Sequence, residues 1–277
     1  MNEIEKLSKN NFKFSKKYGQ NFIFDKNLLN AIIDDSGINK NDDVLEIGPG
    51  AGTLTKVIAE KAKKVVSYEI DQTLKPVLQE NLQGINNSII IFQDALNAKI
   101  EDIESHFNGE YKIVANLPYY ITTPLIFKFV KETTKVVSMC IMVQKEVGER
   151  LVAKSKNTEY GSISAILDYY ADVKILRQVP RRMFVPSPNV DSCIVQITFN
   201  RGKYLACDET FEKIVKSAFS NRRKTLANNL SVDFKMQKSQ VSKLLAENGY
   251  SETVRGDALD TADFVKLSNL FDKITIN

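Results

Sequence analysis

The sequence is poor in the residues that carry much of enzyme chemistry. Its 277 residues include one histidine and three cysteines. A single histidine, His106, in a polar stretch argues against a Ser-His-Asp hydrolase and against a histidine-ligated metal centre. The cysteines, Cys140, Cys193 and Cys207, are odd in number and far apart. They predict neither a disulfide framework nor a zinc site, and we expect buried free thiols.

Long apolar runs are also missing. The longest, Met139 to Val143, is far shorter than the roughly 20 residues of a membrane-spanning helix. The charged, asparagine-rich N-terminus lacks the apolar core of a secretory signal. With 43% apolar and 26% charged residues, the composition is that of a globular chain with one large domain and a smaller one. We therefore expect a cytoplasmic protein without membrane spans.

Positive charge is concentrated in one segment of the chain. The net charge is +4, yet residues 213–243 carry eight lysine and arginine side chains against a single aspartate. Such a segment favours a polyanionic partner such as nucleic acid, although a solvated helix face would also account for it.

Apolar strands alternate with amphipathic helices over the first part of the chain. Strands are predicted at 44–47, 65–68, 88–92, 112–115 and 136–143, and helices at 25–36, 54–63, 74–82, 125–131 and from 145. Parallel neighbours need crossover connections, so this order predicts an α/β fold, a mostly parallel doubly wound sheet with helices on both faces. Strands at 173–179 and 193–199 predict a terminal antiparallel hairpin. We expect an α/β domain over residues 1–203 and a small all-helical domain over residues 204–277.

A glycine-rich turn follows the first predicted strand of the sheet. Gly48, Gly50 and Gly52 stand at its carboxyl end, where doubly wound sheets bind ligands and where glycine lets the backbone approach a ligand closely. Thr53 occupies the third glycine position of the dinucleotide fingerprint G-x-G-x-x-G, which argues against NAD. We expect Thr53 to cap the following helix instead.

Acidic residues end the next two predicted strands. Glu69 is placed to accept hydrogen bonds from both hydroxyls of a ribose, and Asp94 can accept one from an adenine amine. The Gly-x-Gly turn alone is also compatible with an ordinary strand-to-helix turn. The acidic residues at these strand ends favour a nucleoside with a positive sulfonium over a dinucleotide. S-adenosylmethionine is therefore the predicted cofactor.

The tetrapeptide Asn116-Leu117-Pro118-Tyr119 ends the fourth strand of the alternating series. An exocyclic adenine amine is a poor nucleophile, and a catalyst must hold it as a donor to fixed acceptors. The Asn116 side-chain oxygen and the Leu117 carbonyl could accept both hydrogens and direct the lone pair at a methyl carbon. Pro118 stiffens the turn, and Tyr119 would stack on the base. The turn therefore predicts methylation of an adenine amine.

These motifs resemble the ribosomal RNA small-subunit adenine dimethyltransferases associated with kasugamycin resistance. The resemblance covers nearly the whole chain, and its long motifs occur in the expected order. They are Tyr18–Phe22, Glu46–Gly50, Asn116–Pro124, Phe184–Ser192, Ala218–Leu226, and Arg255 with Leu259, Asp263 and Phe264.

The resemblance implies an enzyme that uses S-adenosylmethionine to dimethylate N6 of two adjacent adenines in the 3′-terminal hairpin loop of 16S rRNA during ribosome biogenesis. The implied cofactor contacts are Asn21, Ile23, Gly48, Glu69, Asp94 and Asn116. Asn116 to Tyr119 would form the catalytic turn, and Phe184 would close the far side of the base. The resemblance also implies that residues 1–203 form the catalytic domain and that residues 204–277 form the RNA-binding domain. Arg222, Arg223 and Lys224, at the start of a basic helix, would contact phosphates.

The expected partner is small-subunit rRNA within an immature small subunit, bound by a monomer that needs no metal. Three other functions stay open at this point. The erythromycin-resistance methyltransferases carry a similar Asn-x-Pro-Tyr turn but act on large-subunit RNA. A non-catalytic RNA-binding assembly factor would not need the intact turn at Asn116. A nicotinamide oxidoreductase is opposed by Thr53.

Overall fold

Strands and helices alternate along the part of the chain that this computed structural model describes, namely Phe12, Phe14 and residues 19–275. Tyr18, the first residue of one sequence motif, lies outside it. The strands are β1 (Phe22–Ile23), β2 (Asp43–Ile47), β3 (Lys64–Tyr68), β4 (Ser88–Ile91), β5 (Tyr111–Asn116), β6 (Val136–Gln144), β7 (Ala171–Val179), β8 (Phe184–Val185) and β9 (Ser192–Phe199). The α-helices are α1 (Lys26–Ser36), α2 (Thr53–Lys61), α3 (Lys75–Asn81), α4 (Ile100–Glu104), α5 (Thr122–Glu132), α6 (Lys145–Val152), α7 (Ser162–Tyr170), α8 (Asp208–Ser220), α9 (Leu226–Asp233), α10 (Lys238–Glu247) and α11 (Thr261–Thr275).

Seven strands form one sheet in the order β4-β3-β2-β5-β6-β9-β7. The pairs β2–β3, β3–β4, β2–β5 and β5–β6 are parallel, and β9 runs antiparallel to β6. The chain proceeds outward from β2 to β4 and then continues on the other side of β2 with β5. This reversal is a topological switch point, where open α/β sheets bind ligands beyond the carboxyl ends of their strands. The predicted α/β fold class is confirmed.

The first helices follow the local signals in the sequence, with one exception. Asp25 accepts a hydrogen bond from the Leu28 N–H at 2.8 Å, and Gly37 ends α1 with a φ of 66°. The expectation that Thr53 caps α2 is wrong, because Gly52 occupies the cap position and Thr53 is the first helical residue. The Thr53 hydroxyl instead donates to the Ile23 carbonyl at 2.8 Å and fastens β1 to the helix.

A two-stranded ladder adds a second layer beside the main sheet. β1 pairs antiparallel with β8, with Ile23 opposite Phe184. Both side chains are only 3% exposed and belong to the core that α1 and α2 form with the sheet. The segment before α1 is thereby joined to the segment before β9.

The chain forms two compact units whose limits differ from the predicted boundary after residue 203. The first unit comprises the described residues up to Gly148 together with Lys174–Phe199, and the second comprises Glu149–Val173 and the described residues from Asn200 onward. Residues 149–173 join the helices because α7 packs against α8: the Tyr169 and Phe211 rings stack with centroids 4.1 Å apart. The assignment of catalysis and RNA binding to two domains stays a prediction.

The described residues also bear on the expectations about membranes, metals and thiols. No helix among them is long and apolar enough to cross a membrane. No group of three or more histidine, cysteine, aspartate or glutamate side chains in that part could hold a metal ion. Cys140 and Cys193 are buried free thiols as expected, but Cys207 is exposed, since it directly precedes α8 in a loop.

Candidate active site

A cleft opens at the carboxyl ends of β2, β3, β4 and β5, beside the switch point of the sheet. Its walls bring together most of the residues that the sequence predicted, although they come from distant parts of the chain. They are Asn21, Gly48, Glu69, Asp94, Asn116, Leu117, Pro118 and Tyr119.

Glu69, after β3, is a buried carboxylate with a fixed orientation. It is 4% exposed, and its two oxygens accept from the Gly50 N–H at 3.1 Å and the Asp71 N–H at 2.9 Å. Burial raises the pKa of Glu69 to about 7, although both backbone bonds act in the opposite direction. Each carboxylate oxygen can accept more than one hydrogen bond, so Glu69 keeps acceptor capacity for a ligand.

The turn after β2 requires glycine at two positions. Gly50 has a φ of 57°, and a Cβ there would lie 2.9 Å from the Phe22 ring. Gly48 has a φ of 71° and lines the cleft. Both positions therefore need glycine, for the backbone conformation and, at Gly50, for space.

The loop after β4 carries Asp94 and is held by a lysine that the sequence analysis did not single out. Asp94 accepts from the Leu96 N–H at 2.9 Å. The ammonium of Lys128, in α5, donates to the carbonyls of Leu96 at 3.1 Å and Ala98 at 2.6 Å. Its side chain is only 8% exposed. The signal that could have revealed it is the position of this lysine between the buried Ile126 and Phe129 of α5.

The turn at the end of β5 presents a hydrogen-bond acceptor. The Asn116 Nδ2 donates to the Asn21 carbonyl at 2.8 Å. Because a carbonyl can only accept, this contact fixes which end of the amide faces Asn21 and leaves Oδ1 as the acceptor. The Tyr119 hydroxyl lies 2.9 Å from the Ser192 hydroxyl, and burial raises the pKa of Tyr119.

Two of the residues predicted to contact the cofactor or the base do not line this cleft. Phe184 is 3% exposed and packed in the core opposite Ile23. Ile23 lines a smaller hollow that shares Gly48 and Asn116 with the cleft. The family resemblance, and no local pattern of residues, implied that Phe184 closes the far side of the base. Its stacking role stays a prediction, and stacking would require the ring to leave this packing.

The three predicted phosphate contacts lie in the loop before α9 and not in a helix. Arg222, Arg223 and Lys224 are all exposed, and α9 begins after its cap, Thr225. Arg222 differs from its neighbours because its guanidinium donates to the carbonyls of Thr158 and Tyr160. Its side chain therefore holds a neighbouring loop of the second unit.

Comparisons with known proteins identify the family of this chain. A sequence profile of the family described as "Ribosomal RNA adenine dimethylase" matches residues 11–273. The chain belongs to this family. A ribosomal RNA small subunit methyltransferase A from Bacillus cereus (strain B4264) is 43% identical over 275 residues, covering 95% of this chain and 93% of that protein. The protein of the same name from Bacillus mycoides (strain KBAB4) is 44% identical over 272 residues, with the same coverage.

Solved structures extend the likeness to the fold. A crystal structure of a dimethyladenosine transferase from Plasmodium falciparum has a TM-score of 0.78 and 27% identity, and covers 91% of this chain and 98% of that one. The 23S rRNA methyltransferase ErmE has a TM-score of 0.70, but at 24% identity over 91% of this chain and 100% of its own it shows the fold alone. The predicted family and the predicted enzyme class, an rRNA adenine dimethylase, are confirmed.

Proposed function

We propose that this dimethylase uses S-adenosylmethionine to convert two adjacent adenines, in the 3′-terminal hairpin loop of small-subunit rRNA, into N6,N6-dimethyladenines during ribosome biogenesis. The relatives at 43% and 44% identity are named for the small subunit, which favours that substrate over large-subunit RNA.

The observation that carries the chemistry is the orientation of the Asn116 amide. Its NH₂ group is engaged by the Asn21 carbonyl, so Oδ1 can accept a hydrogen from the target amine. The Leu117 carbonyl can accept the second hydrogen. Holding both hydrogens directs the nitrogen lone pair toward the electrophile, which is the main requirement for a weakly nucleophilic aromatic amine.

The cleft also fits the proposed cofactor. Glu69 is a buried acceptor suited to two ribose hydroxyls, and Asp94 can accept from the adenine amine. Asn21 and Gly48 line the same cleft. S-adenosylmethionine, when bound, supplies an electrophilic methyl group. The part of this chain is to hold the cofactor, orient the amine and exclude water.

The target base must be unpaired or flipped out, because pairing would occupy its amine. Tyr119, in the cleft wall, is the proposed stacking partner. After the first transfer the amine keeps one hydrogen, so one of the two acceptors loses its donor at a cost of about 1–3 kcal/mol. The second transfer should therefore be slower, and monomethyladenine should appear transiently.

The second unit would supply RNA binding through exposed basic residues such as Arg223 and Lys224. We further propose that the substrate is rRNA within an immature small subunit and that the protein acts in the cytoplasm. A monomer would suffice, because one chain supplies every contact invoked.

The function is tested by offering the purified protein labelled S-adenosylmethionine with protein-free small-subunit rRNA, immature small subunits or large-subunit rRNA. Nucleoside mass spectrometry over time should reveal monomethyladenine and then dimethyladenine in small-subunit RNA. An end point at monomethyladenine would contradict dimethylation. Transfer only to large-subunit RNA would favour the erythromycin-resistance activity, and RNA binding without transfer would favour an assembly factor.

A further inference from the structure

The Phe184–Ser192 sequence motif is not explained by its first residue, since Phe184 lies in the core. Its last residue contacts the catalytic turn, because the hydroxyls of Ser192 and Tyr119 lie 2.9 Å apart. We propose that Ser192 is a positioning residue that holds the Tyr119 ring in the orientation needed to stack on the target adenine. This inference rests on the proposed function and deepens it.

Ser192 is itself held firmly in place. It is 0% exposed and opens β9, where it pairs with Gln144 at the end of β6. The preceding residue, Asp191, accepts from the Lys145 N–H at 3.0 Å through its carbonyl and from the Arg181 N–H at 2.9 Å through its carboxylate. The motif therefore ends in a serine hydroxyl whose position is fixed by the backbone on both sides.

Tyr119 gains orientation from this contact. Its backbone belongs to the turn after β5, two residues beyond Leu117, which is 2% exposed. A hydrogen bond to the hydroxyl fixes the far end of the side chain and so restricts rotation about Cα–Cβ. Because a phenolic O–H prefers to lie in the plane of its ring, donation to Ser192 also favours one orientation of the ring plane. Burial raises the pKa of Tyr119, so the hydroxyl stays protonated and can donate to Ser192. A ring held at both ends is preorganised for stacking, which avoids ordering it during base binding.

The experiment compares S192A, Y119F and the double variant for methyl transfer to protein-free small-subunit rRNA and to immature small subunits. Each single substitution removes the same bond, and Y119F keeps the aromatic face. We expect each to lower kcat by about three- to tenfold without changing the cofactor Kd. The double variant should be no slower than the slower single variant, because no second interaction remains to be lost.

A matched control is S138A. Ser138 lies on β6 and is 8% exposed, so this variant also removes a buried serine hydroxyl. It should keep the wild-type kcat, and melting temperatures of all variants separate folding from positioning. If S192A lowers only the melting temperature, or if the effects of S192A and Y119F on kcat multiply, the positioning role is overturned. A wild-type protein that methylates neither RNA would overturn the proposed function, and the positioning role with it.

Discussion

The cleft of the first unit and the basic surface of the second use polar side chains in opposite ways. In the cleft, Asn116 and Glu69 are each fixed by backbone groups. Burial there also raises a carboxyl pKa. In the second unit, Arg223 and Lys224 extend from an exposed loop. Fixed, desolvated groups suit recognition of one small ligand, whereas exposed cations suit a phosphate backbone that is bound largely by charge. Substitutions in the cleft should therefore each have a large effect on catalysis or on cofactor binding. Substitutions on the basic loop, residues 222–224, should each have a small and salt-dependent effect on RNA binding.

The largest effect is expected from Asn116→Ala. Loss of the oriented acceptor should lower kcat by at least about a hundredfold, in line with the removal of one preorganised catalytic hydrogen-bonding group. RNA binding should be unchanged, because Asn116 holds no phosphate. Single-turnover transfer and filter binding measure the two effects. Asn116→Asp is the sharper variant, since it keeps the shape but sets a carboxylate oxygen against the Asn21 carbonyl. More than a tenth of wild-type activity in either variant would contradict the role.

Glu69→Ala should weaken cofactor binding about ten- to a hundredfold, because it removes two charge-assisted acceptors. RNA affinity should remain as in the wild type, since Glu69 is remote in sequence from the basic segment and buried in the cleft. Calorimetry with S-adenosylmethionine measures the cofactor Kd, and filter binding measures the affinity for RNA. A cofactor Kd equal to that of the wild type would rule out the ribose contact.

Cofactor affinity should also depend on pH through Glu69. Burial raises its pKa to about 7 in the free protein, and the proposed ligand hydroxyls need the ionised form. Binding should thus be strongest above pH 7 and should weaken as the pH falls, by up to about tenfold per unit below the pKa. Burial raises the pKa of Glu46, on β2, to about 7 as well. Glu69→Gln distinguishes the two glutamates, because loss of the titrating Glu69 should flatten the dependence of cofactor affinity on pH. If the pH dependence persists in that variant, Glu69 is not the titrating group.

The basic loop should respond in two different ways. Arg223→Ala with Lys224→Ala should flatten the salt dependence of RNA binding, by up to about 0.7–0.9 log units per lost phosphate contact. Arg222→Ala should instead lower the free energy of unfolding by about 1–3 kcal/mol, because its guanidinium binds the Thr158 and Tyr160 carbonyls. Salt titrations of RNA binding test the double variant, and chemical denaturation tests Arg222→Ala. If the salt dependence of RNA binding in every variant equals that of the wild type, the loop does not bind phosphate.

The smallest effect is expected from Lys128→Met. It removes the ammonium that ties the Leu96 and Ala98 carbonyls to α5, so the loop with Asp94 should loosen. Cofactor Kd should rise about three- to tenfold with a smaller change in kcat. The control is Lys131→Met, an exposed lysine on the same helix. Equal effects of the two substitutions would show that the charge, rather than the contact, matters.

Local sequence signals predicted the parts of the fold that depend on neighbouring residues. The periodicities found the parallel strands and α1, whose ends at Asp25 and Gly37 depend on local hydrogen bonding and backbone conformation. They missed α7, because residues 162–170 are apolar and aromatic with little polar alternation, being buried on most sides. They also missed the two-residue strands β1 and β8, which exist only as partners of each other.

The sequence by itself determined the chemistry available at the strand ends: the glycine turn, the carboxylates of Glu69 and Asp94, and the Asn116 turn. These could be predicted because parallel strands bring their carboxyl ends to one edge whatever the rest of the chain does. Only the tertiary structure decided which groups hold them. The Asn21 carbonyl orients Asn116, Ser192 meets Tyr119, and Phe184 turns into the core opposite β1. Asn21 and Asn116 are 95 positions apart in the sequence, and Ile23 and Phe184 are farther apart still. Their geometry is fixed by packing and register, which no local pattern of residues specifies.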